Sequence, residues 1–297
     1  MASVSSLEEA AAALRAATAE GRTIRIGADL DAAGMDRVLE HEAGDLTCTV
    51  EAGIRLSALQ AELAPAGQRL SLDPPGDPTI GACLALGLSG PLRHRFGAPR
   101  DIVLGVTLVL ADGTVANAGG TVVKNVAGYD LGKLVCGSQG RLAFIGRVSL
   151  RLHPVPAAAA TVVVDTDDPS TTVAAVLASQ LVPSAVDVLH PGRVAVLFEG
   201  GAAAVAKQVE AMRRLGGEPA DPSVWDESRS RQGVARGRAR FVPGELRTFL
   251  EGVEEAVVRP SSGVAYLRES VDKETSASLR LLQERVKERF DPQGVLA

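Results

Sequence analysis

The stretch of sequence that decides the fold runs from residue 74 to residue 97 and reads PPGDPTIGACLALGLSGPLRHRFG. Pro75 and Gly76 predict a tight turn, and Thr79 predicts the start of a helix. The backbone N–H groups at the start of a helix suit a pyrophosphate, and Gly81 would let the backbone approach a ligand closely. A plain turn into a helix explains the same residues, so this segment alone leaves both interpretations open.

A second glycine-rich segment, residues 120–145, reads GTVVKNVAGYDLGKLVCGSQGRLAFI. A turn from Gly137 to Gly140 would direct its amides toward a polar ligand edge, and Ile145 would offer an apolar contact for a flat ring. A plain loop with glycines at positive φ is an equal alternative. Between the two segments, residues 101–111 predict a strand and residues 114–118 its hairpin partner.

The remaining pattern divides the chain at two prolines, Pro154 and Pro156. Before them, helical and strand-like segments alternate in a βαβ-like rhythm, with helices at 7–20 and 55–66 and strands at 23–26, 45–51, 69–72 and 142–152. After them, the β-α-β-β-α order predicts a small ferredoxin-like α+β domain, with strands at 160–165, 185–189 and 193–199 and helices at 170–179 and 202–215. An amphipathic helix is predicted at 276–290.

The composition is that of an ordinary α/β protein, and the length of 297 residues favours two domains. A net charge of −5 argues against general nucleic-acid binding. The arginine-rich run 229–240 is interpreted as a solvated face or as a docking surface. Cys48, Cys83 and Cys136 lack metal-ligand spacing and are predicted core thiols. Without a signal peptide or a long apolar run in its sequence, the chain is expected in the cytoplasm, with peripheral membrane attachment through a complex left open.

Three strings resemble a known family: MDRVLEHEAGDLTCTVEAG, SGPLRHRFGAPRDIVLG and VVKNVAGYDLGKL. The family is the FAD-binding subunit (E subunit) of bacterial glycolate oxidase, within the vanillyl-alcohol-oxidase or PCMH-type FAD-binding superfamily. The resemblance extends from about residue 7 to residue 295. It implies an α+β fold: a PCMH-type FAD-binding domain of two α/β subdomains at 1–154, a cap domain at 155–254 and a C-terminal return to the FAD domain at 255–297.

The resemblance also implies the residues that contact FAD. On the flavin and pyrophosphate side these are Pro75, Gly76, Thr79, Ile80, Gly81, Ser89 and Gly90. Near the adenosine half they are Gly137, Ser138, Gly140 and Ile145. Arg93, Arg95 and Lys124 would either add positive charge around the diphosphate or act as structural ion-pair partners.

The chain departs from the family pattern after its first strand. The family has a glycine-rich phosphate loop there, whereas in this chain residues 24–27 lead almost directly into Asp29 and Asp31. A carboxylate repels a phosphate group. Each charge-assisted hydrogen bond that is lost costs about 1.5 to 3 kcal/mol, so we expect weakened FAD binding.

No catalytic residue is assigned. The four histidines form no cluster in the sequence, and only His94 lies in a predicted ligand segment, where contact with substrate or flavin and a loop hydrogen bond are both open. The resemblance implies an accessory subunit, relay or scaffold, partnered by a catalytic flavoprotein subunit and an iron–sulfur subunit. A stand-alone flavin-dependent 2-hydroxy acid oxidase and a flavin-free interaction subunit are the alternatives.

Overall fold

The computed structural model describes residues 2–120, 130–271 and 276–297. Up to Pro154 the strands are β1 Ala2–Ser3, β2 Leu30–Asp31, β3 Val38–Glu42, β4 Thr47–Glu51, β5 Gln68–Arg69, β6 Val103–Val109, β7 Val115–Gly119, β8 Phe144–Arg151 and β9 His153–Pro154. The helices are α1 Leu7–Glu20, α2 Leu56–Leu63, α3 Ile80–Leu86, α4 Arg93–Phe96, α5 Pro99–Ile102 and α6 Leu131–Val135.

The main sheet of this first part has five strands in the order β3-β4-β8-β6-β7. Every pair in it is antiparallel, for example Cys48 opposite Leu150. The βαβ-like rhythm was therefore the wrong interpretation of this sheet, because β5, which follows α2, pairs with β9 outside it. The predicted hairpin of β6 and β7 is confirmed. The core between the sheet and helices α2 and α3 is made of Val, Leu, Ile and Ala side chains with two cysteines.

A smaller layer holds the two ends of the chain together. Ser6 caps the N-terminus of α1, and its hydroxyl accepts a hydrogen bond from the Glu9 amide at 3.1 Å. The predicted strand at 23–26 is reduced to isolated bridges, one of which pairs Ile24 with Leu296. Leu14 of α1, Ile24 and Leu296 pack in one apolar cluster, so the C-terminal residues lie on the first part of the chain.

The second part contains β10 Ala158–Asp165, β11 Ala185–His190, β12 Arg193–Gly200, β13 Glu218–Ala220, β14 Gly237–Arg240, β15 Ala256–Arg259 and β16 Val264–Leu267. Its helices are α7 Pro169–Ala178, α8 Ala202–Arg213, α9 Val224–Gly233 and α10 Leu246–Leu250, and α11 Ala277–Phe290 follows. The sheet order is β13-β10-β12-β11-β15-β16-β14. The antiparallel unit β13-β10-β12-β11 with α7 and α8 confirms the ferredoxin-like prediction.

The expected return of residues 255–297 to the first domain needs a correction. Strands β15 and β16 extend the second sheet, since Val188 pairs with Val258 and Val257 pairs with Tyr266. In the described residues, the part that does lie on the first domain is the C-terminal end, where Leu296 pairs with Ile24 and Lys287 of α11 donates to the Arg141 carbonyl at 2.9 Å. The other boundaries of the partition stay a prediction.

The two faces of the second sheet have different coverings. One face packs against α7, α8 and α10 around Phe198 and Met212. The other face carries Trp225 of α9 together with Leu189 and Val257. Residues 89–96 of the first domain also contact this second face, for example through Arg95 and Ser184. The junction between the two domains therefore lies on the α9 side of the sheet.

No helix in the described ranges is long and apolar enough to cross a membrane.

Candidate functional site

The start of α3 differs from the sequence prediction in one respect. Thr79 caps the helix as predicted, but the first amides do not point outward, because the backbone at Ala52 and Ile54 and the Thr79 hydroxyl accept from them. The hydrogen bonds are Ile80 N to Ile54 O at 2.9 Å, Gly81 N to Ala52 O at 2.7 Å and Ala82 N to Thr79 Oγ1 at 3.2 Å. The prediction of free, outward N–H groups was wrong, since the sequence does not reveal that the chain at Ala52 and Ile54 reaches this helix end.

Two of the predicted ligand-contacting glycines approach protein backbone instead. A Cβ on Gly81 would stand 2.9 Å from the carbonyl oxygen of Ala52, and one on Gly90 would stand 1.8 Å from that of Asp73. Both glycines are therefore required by chain packing. Gly76, which follows Pro75 in the turn, has a φ of +72° and open space around it.

The turn at residues 137–140 also donates to its own chain. Its amide bonds are Gly137 N to Leu84 O at 2.8 Å, Ser138 N to Val135 O at 3.1 Å and Gln139 N to Ala85 O at 2.7 Å. These amides do not face a ligand edge, which corrects the prediction. Ile145 packs inside the first domain's core. The hydroxyl of Ser138 is buried and has no hydrogen-bond partner in the described parts of the chain.

The turn after Ile24 is closed by an ion pair. Arg25 donates two side-chain hydrogen bonds to Asp29, each at 3.1 Å, and its amide donates to the same carboxylate at 2.9 Å. The amides of residues 28–30 all donate to the Arg25 carbonyl. The Arg25 side-chain hydrogen bond lowers the pKa of Asp29 to about 2, so this carboxylate is an anion at neutral pH.

The predicted cofactor residues fall into two groups in space. The turn 137–140 lies against the end of α3, with the Cα of Gly137 3.7 Å from a Cβ built on Gly87. The same turn contacts Ile26, since a Cβ on Gly140 would stand 2.7 Å from the Cβ of Ile26. This first group is thus brought together by the fold. Ser89 and Gly90 form the second group and lie at the junction with the second domain.

The junction contains a buried polar network that the sequence pattern did not indicate. The carbonyl of Ser89 accepts from Gln232 at 2.9 Å and from Arg259 at 3.5 Å, and Arg259 also donates to the Gln232 side-chain oxygen at 2.7 Å. Arg259 and Asp187 are fully buried, with Nε and Oδ1 3.5 Å apart. The hydroxyl of Ser228 donates to Asp187 at 2.5 Å. The available signal for this network in the sequence was Asp187, a charged residue inside the apolar strand β11.

Asp73 joins this network from the first domain. Its carboxylate accepts from the Leu92 amide at 3.1 Å and lies 3.6 Å from Arg229. Burial raises the pKa of Asp73 to about 7, against the opposing effects of Arg259 and the Leu92 amide. Burial likewise raises the pKa of Asp187. Two carboxyl groups whose charge is disfavoured by burial therefore face two arginines across the junction.

A second junction contact is a bidentate ion pair. Arg69 donates from both terminal nitrogens to the two carboxylate oxygens of Glu199, each at 2.7 Å. The Arg69 and Arg95 guanidinium groups both lie over the Phe96 ring, at 5.5 and 5.7 Å from its centroid. This arrangement ties β5 and α4 of the first domain to β12 of the second.

The basic residues in the first ligand segment make structural contacts. Arg93 donates to the Ser89 hydroxyl at 3.0 Å, and Nδ1 of His94 lies 2.8 Å from the Ser261 hydroxyl. Burial lowers the pKa of His94. The loop hydrogen bond proposed for His94 is therefore present, to a residue of the second domain. Lys124 lies outside the described residues.

Part of the arginine-rich run is turned inward, so the prediction of a solvated face or free docking surface was wrong for its first half. Arg229 pairs with Asp226 at 2.5 Å, and Arg231 pairs with Glu227 at 2.7 Å. Both arginines are about 29% exposed. They lie on α9, which packs on the second sheet, and this position could not be read from the charge pattern.

The cysteines behave as predicted. Cys48 and Cys83 are buried and Cys136 is half-buried, and burial raises the pKa of each thiol to about 12. Within the described residues, no group of His, Cys, Asp or Glu side chains could hold a metal ion.

The fold and the family comparison together define the class of domain. Residues 26–119 match the family model described as FAD binding domain. This stretch is thus similar to an FAD-binding domain, and FAD is the cofactor that the comparisons support.

Individual relatives are oxidoreductases. The chain is 37% identical to glycolate oxidase subunit GlcE of Escherichia coli over 135 residues, which is 44% of this chain and 39% of the relative. It is 30% identical to glycolate oxidase subunit GlcD of Bacillus subtilis over 164 residues, 52% of this chain and 34% of the relative. It is 36% identical to the mitochondrial D-lactate dehydrogenase [cytochrome] of Arabidopsis thaliana over 143 residues, which is 48% of this chain and 25% of the relative. The alignments thus span no more than about two fifths of these relatives.

Among solved structures, alkyldihydroxyacetonephosphate synthase matches with a TM-score of 0.74 and 16% identity, over 99% of this chain and 75% of that one. At this identity the match shows the fold alone. It spans both domains of the chain.

The described residues do not form a diphosphate cradle as they stand. The amides at α3, most of those in the turn 137–140 and those at 28–30 are already hydrogen-bonded within the protein, and the charged Asp29 closes the first turn. Binding a diphosphate at these places would require donors to leave existing partners, at a net cost of about 1 kcal/mol per hydrogen bond. No reaction step is therefore derived through FAD.

Proposed function

We propose that this chain is an accessory subunit of an FAD-dependent complex that oxidises a 2-hydroxy acid such as glycolate or lactate. Substrate oxidation takes place on a partner flavoprotein subunit, and an iron–sulfur subunit completes the complex. The names of the relatives, glycolate oxidase subunits and D-lactate dehydrogenases, support this class of reaction.

The observation that carries the accessory role is the closed state of the first turn. Arg25 and Asp29 form an ion pair at the place where the family has a glycine-rich phosphate loop. The carbonyl groups of Ala52 and Ile54 accept hydrogen bonds from the first amides of α3. A chain with these contacts holds FAD weakly, because few donors remain for the diphosphate. In the scaffold version of the proposal, the chain contributes its surface and its two joined domains to the complex. In the relay version, weakly held FAD acts as an electron relay.

The test compares the chain alone with the chain co-expressed with a larger flavoprotein and an iron–sulfur subunit of the same bacterial complex type. We expect the purified chain alone to show little 450 nm absorbance and no reduction of an artificial electron acceptor with glycolate or D-lactate. The three-subunit complex should co-purify and turn over, and omitting this chain should lower its activity or yield.

Two outcomes would contradict the proposal. Turnover of a 2-hydroxy acid by the isolated chain would favour a stand-alone oxidase. Failure to co-purify with either partner, with unchanged activity of the other two subunits, would exclude an accessory role. Stoichiometric flavin in the complex, absent when Pro75 and Gly76 are altered, would favour the relay version over a scaffold.

A further inference from the structure

Helix α11, Ala277–Phe290, carries an apolar stripe that its own domain covers at one end. Val286 and Phe290, near the C-terminal end of the helix, are half-buried. Leu279 and Leu282, in its first two turns, are 46% and 57% exposed. With 3.6 residues per turn, these four side chains lie on one side of the helix. The stripe therefore continues beyond the surface on which the helix is packed.

The C-terminal end of α11 is anchored through Lys287. Its Nζ donates to the Arg141 carbonyl at 2.9 Å, which joins the helix to the first domain, and it also contacts the Asp291 carboxylate and the Leu296 carbonyl. Asp291 accepts from the amides of Val295 at 2.8 Å and Leu296 at 2.7 Å. The first turns of the helix thus extend from a fixed base, which lowers the ordering cost of docking a partner on them.

The charged residues of α11 are sorted around the apolar stripe. Three exposed arginines lie along the margins of the stripe: Arg280, Arg285 and Arg289. Glu284 and Glu288 lie on the opposite side of the helix. Binding surfaces are arranged so that positive groups meet negative groups. An apolar stripe with basic margins is therefore complementary to an apolar groove with acidic margins.

The stripe is suited to a groove on a protein rather than to a lipid surface. Leu279, Leu282 and Val286 stand at positions i, i+3 and i+7, the spacing with which an amphipathic helix occupies a groove. Helices that lie in a membrane surface bury their whole apolar face, with Trp or Phe among its residues. The one aromatic residue in the sequence of α11, Phe290, is half-buried at the anchored end. The exposed part of the stripe consists of leucines alone.

We propose that the first turns of α11 dock in an apolar groove with acidic margins on the partner flavoprotein subunit. Leu279 and Leu282 enter the groove, and Arg280 and Arg285 pair with carboxylates at its margins. This inference rests on the proposed accessory function, because a scaffold or a relay must contact the subunit on which the substrate is oxidised. It adds to that function the surface of attachment.

The test measures the affinity of the full-length chain for the purified flavoprotein subunit by isothermal titration calorimetry. Leu282→Gln should weaken binding at least tenfold, because it places a polar amide in an apolar groove. Leu281→Gln is the matched control. Leu281 is 51% exposed but lies on the side of Glu284 and Glu288, so this variant should bind as the parent chain does. Both substitutions are at exposed positions, and thermal unfolding checks that neither lowers the melting temperature.

A second pair of variants tests the basic margins. Arg285→Gln should weaken binding several-fold at low salt and reduce the dependence of the affinity on ionic strength, because salt screens exposed charges. Arg214→Gln makes the same charge change at an exposed position after α8 and should leave both quantities unchanged.

Equal affinities of the parent, Leu282→Gln and Leu281→Gln for the flavoprotein would overturn this docking site and leave the accessory function standing. Binding to the iron–sulfur subunit alone would overturn the choice of partner. The same holds if Leu282→Gln loses only self-association, or only sedimentation with phosphatidylglycerol vesicles, while it binds the flavoprotein as the parent does. A parent chain that binds neither subunit would overturn the accessory function and this inference with it.

Discussion

At the scale of single residues, Gly90 shows how a pattern typical of ligand binding can have an internal cause. In the sequence, Ser89 and Gly90 resemble a hydroxyl and a close approach to a ligand. In the structure, the Gly90 Cα faces the Asp73 carbonyl, and the buried Ser89 carbonyl accepts from Gln232 and Arg259 of the second domain. Both residues therefore join the two domains.

Substituting Gly90 by alanine tests this interpretation. The new Cβ would stand 1.8 Å from the Asp73 carbonyl oxygen, so the backbone must shift. We expect the free energy of unfolding, measured by urea denaturation, to fall by about 2 to 3 kcal/mol. Gly252→Ala is the control, since a Cβ there meets nothing within 4 Å. Equal stability of the two variants would contradict the packing role of Gly90.

The Asp29 carboxylate, which pairs with Arg25, is a second single residue at an expected ligand site that makes an internal contact. Replacing it by asparagine removes an anion from the first turn and releases the Arg25 guanidinium, which can then attract a phosphate. We expect the FAD affinity of Asp29→Asn, measured by quenching of flavin fluorescence, to rise several-fold over that of the parent chain. The exposed Asp167→Asn carries the same charge change in the second domain and should leave the affinity unchanged. An affinity for FAD that does not move in Asp29→Asn would show that this turn plays no part in cofactor binding.

At the scale of elements, the two domains are held together by a few short segments rather than by a long shared strand. Strand β5 and helix α4 contact β12 through Arg69, Arg95 and Glu199. Helix α9 contacts the segment around Ser89 through Gln232. Both sets of contacts across the junction are therefore made by polar side chains of short segments.

The Arg69–Glu199 pair predicts a measurable coupling between the domains. Its side chains are 18% and 8% exposed, so removing one partner leaves a poorly solvated charge. Glu199→Gln is expected to lower the free energy of unfolding by about 2 to 3 kcal/mol. A double-mutant cycle with Arg69→Met should show a coupling of more than about 1 kcal/mol.

The control for this pair is the exposed contact of Glu255 with Arg268, where the arginine is 81% exposed. Glu255→Gln should change stability by less than about 1 kcal/mol, as exposed pairs do. A cost of Glu199→Gln no larger than that of Glu255→Gln would mean that the inter-domain pair adds nothing to stability.

At the scale of the whole molecule, the junction network makes stability depend on pH. Burial raises the pKa of Asp73 to about 7, above its ordinary value of 3.8. Between these two pH values the folded state therefore binds more protons than the unfolded state, and the stability from this group falls as pH rises. Asp187, whose pKa is raised by the same cause, acts in the same direction.

We expect the stability difference between the parent chain and Asp73→Asn to shift against the parent as pH increases from about 4.5 to 7. Urea denaturation at a series of pH values measures it. Asp167→Asn, at an exposed site away from the junction, should give a pH profile parallel to that of the parent. Parallel profiles for Asp73→Asn and the parent would show that Asp73 is not buried with a raised pKa.

The sequence by itself determined the local elements and the class of the fold. Hydrophobic periodicity placed the longer elements such as α1, α8, β8 and β10, the β-α-β-β-α order predicted the ferredoxin-like unit, and Thr79 marked the start of α3. These features depend on short-range geometry, which a pattern of neighbouring residues encodes. The strings around residues 35–53 and 89–105 predicted the FAD-binding class, which the family match supports.

Only the tertiary structure decided which groups are available to a ligand. Whether the amide of Gly81 is free depends on Ala52, and whether the buried Asp187 has an ion-pair partner depends on Arg259 of β15. It also decided that β15 and β16 extend the second sheet. The physical reason is that a hydrogen bond or ion pair is fixed by the approach of segments far apart in the chain, and a single sequence does not specify those distances.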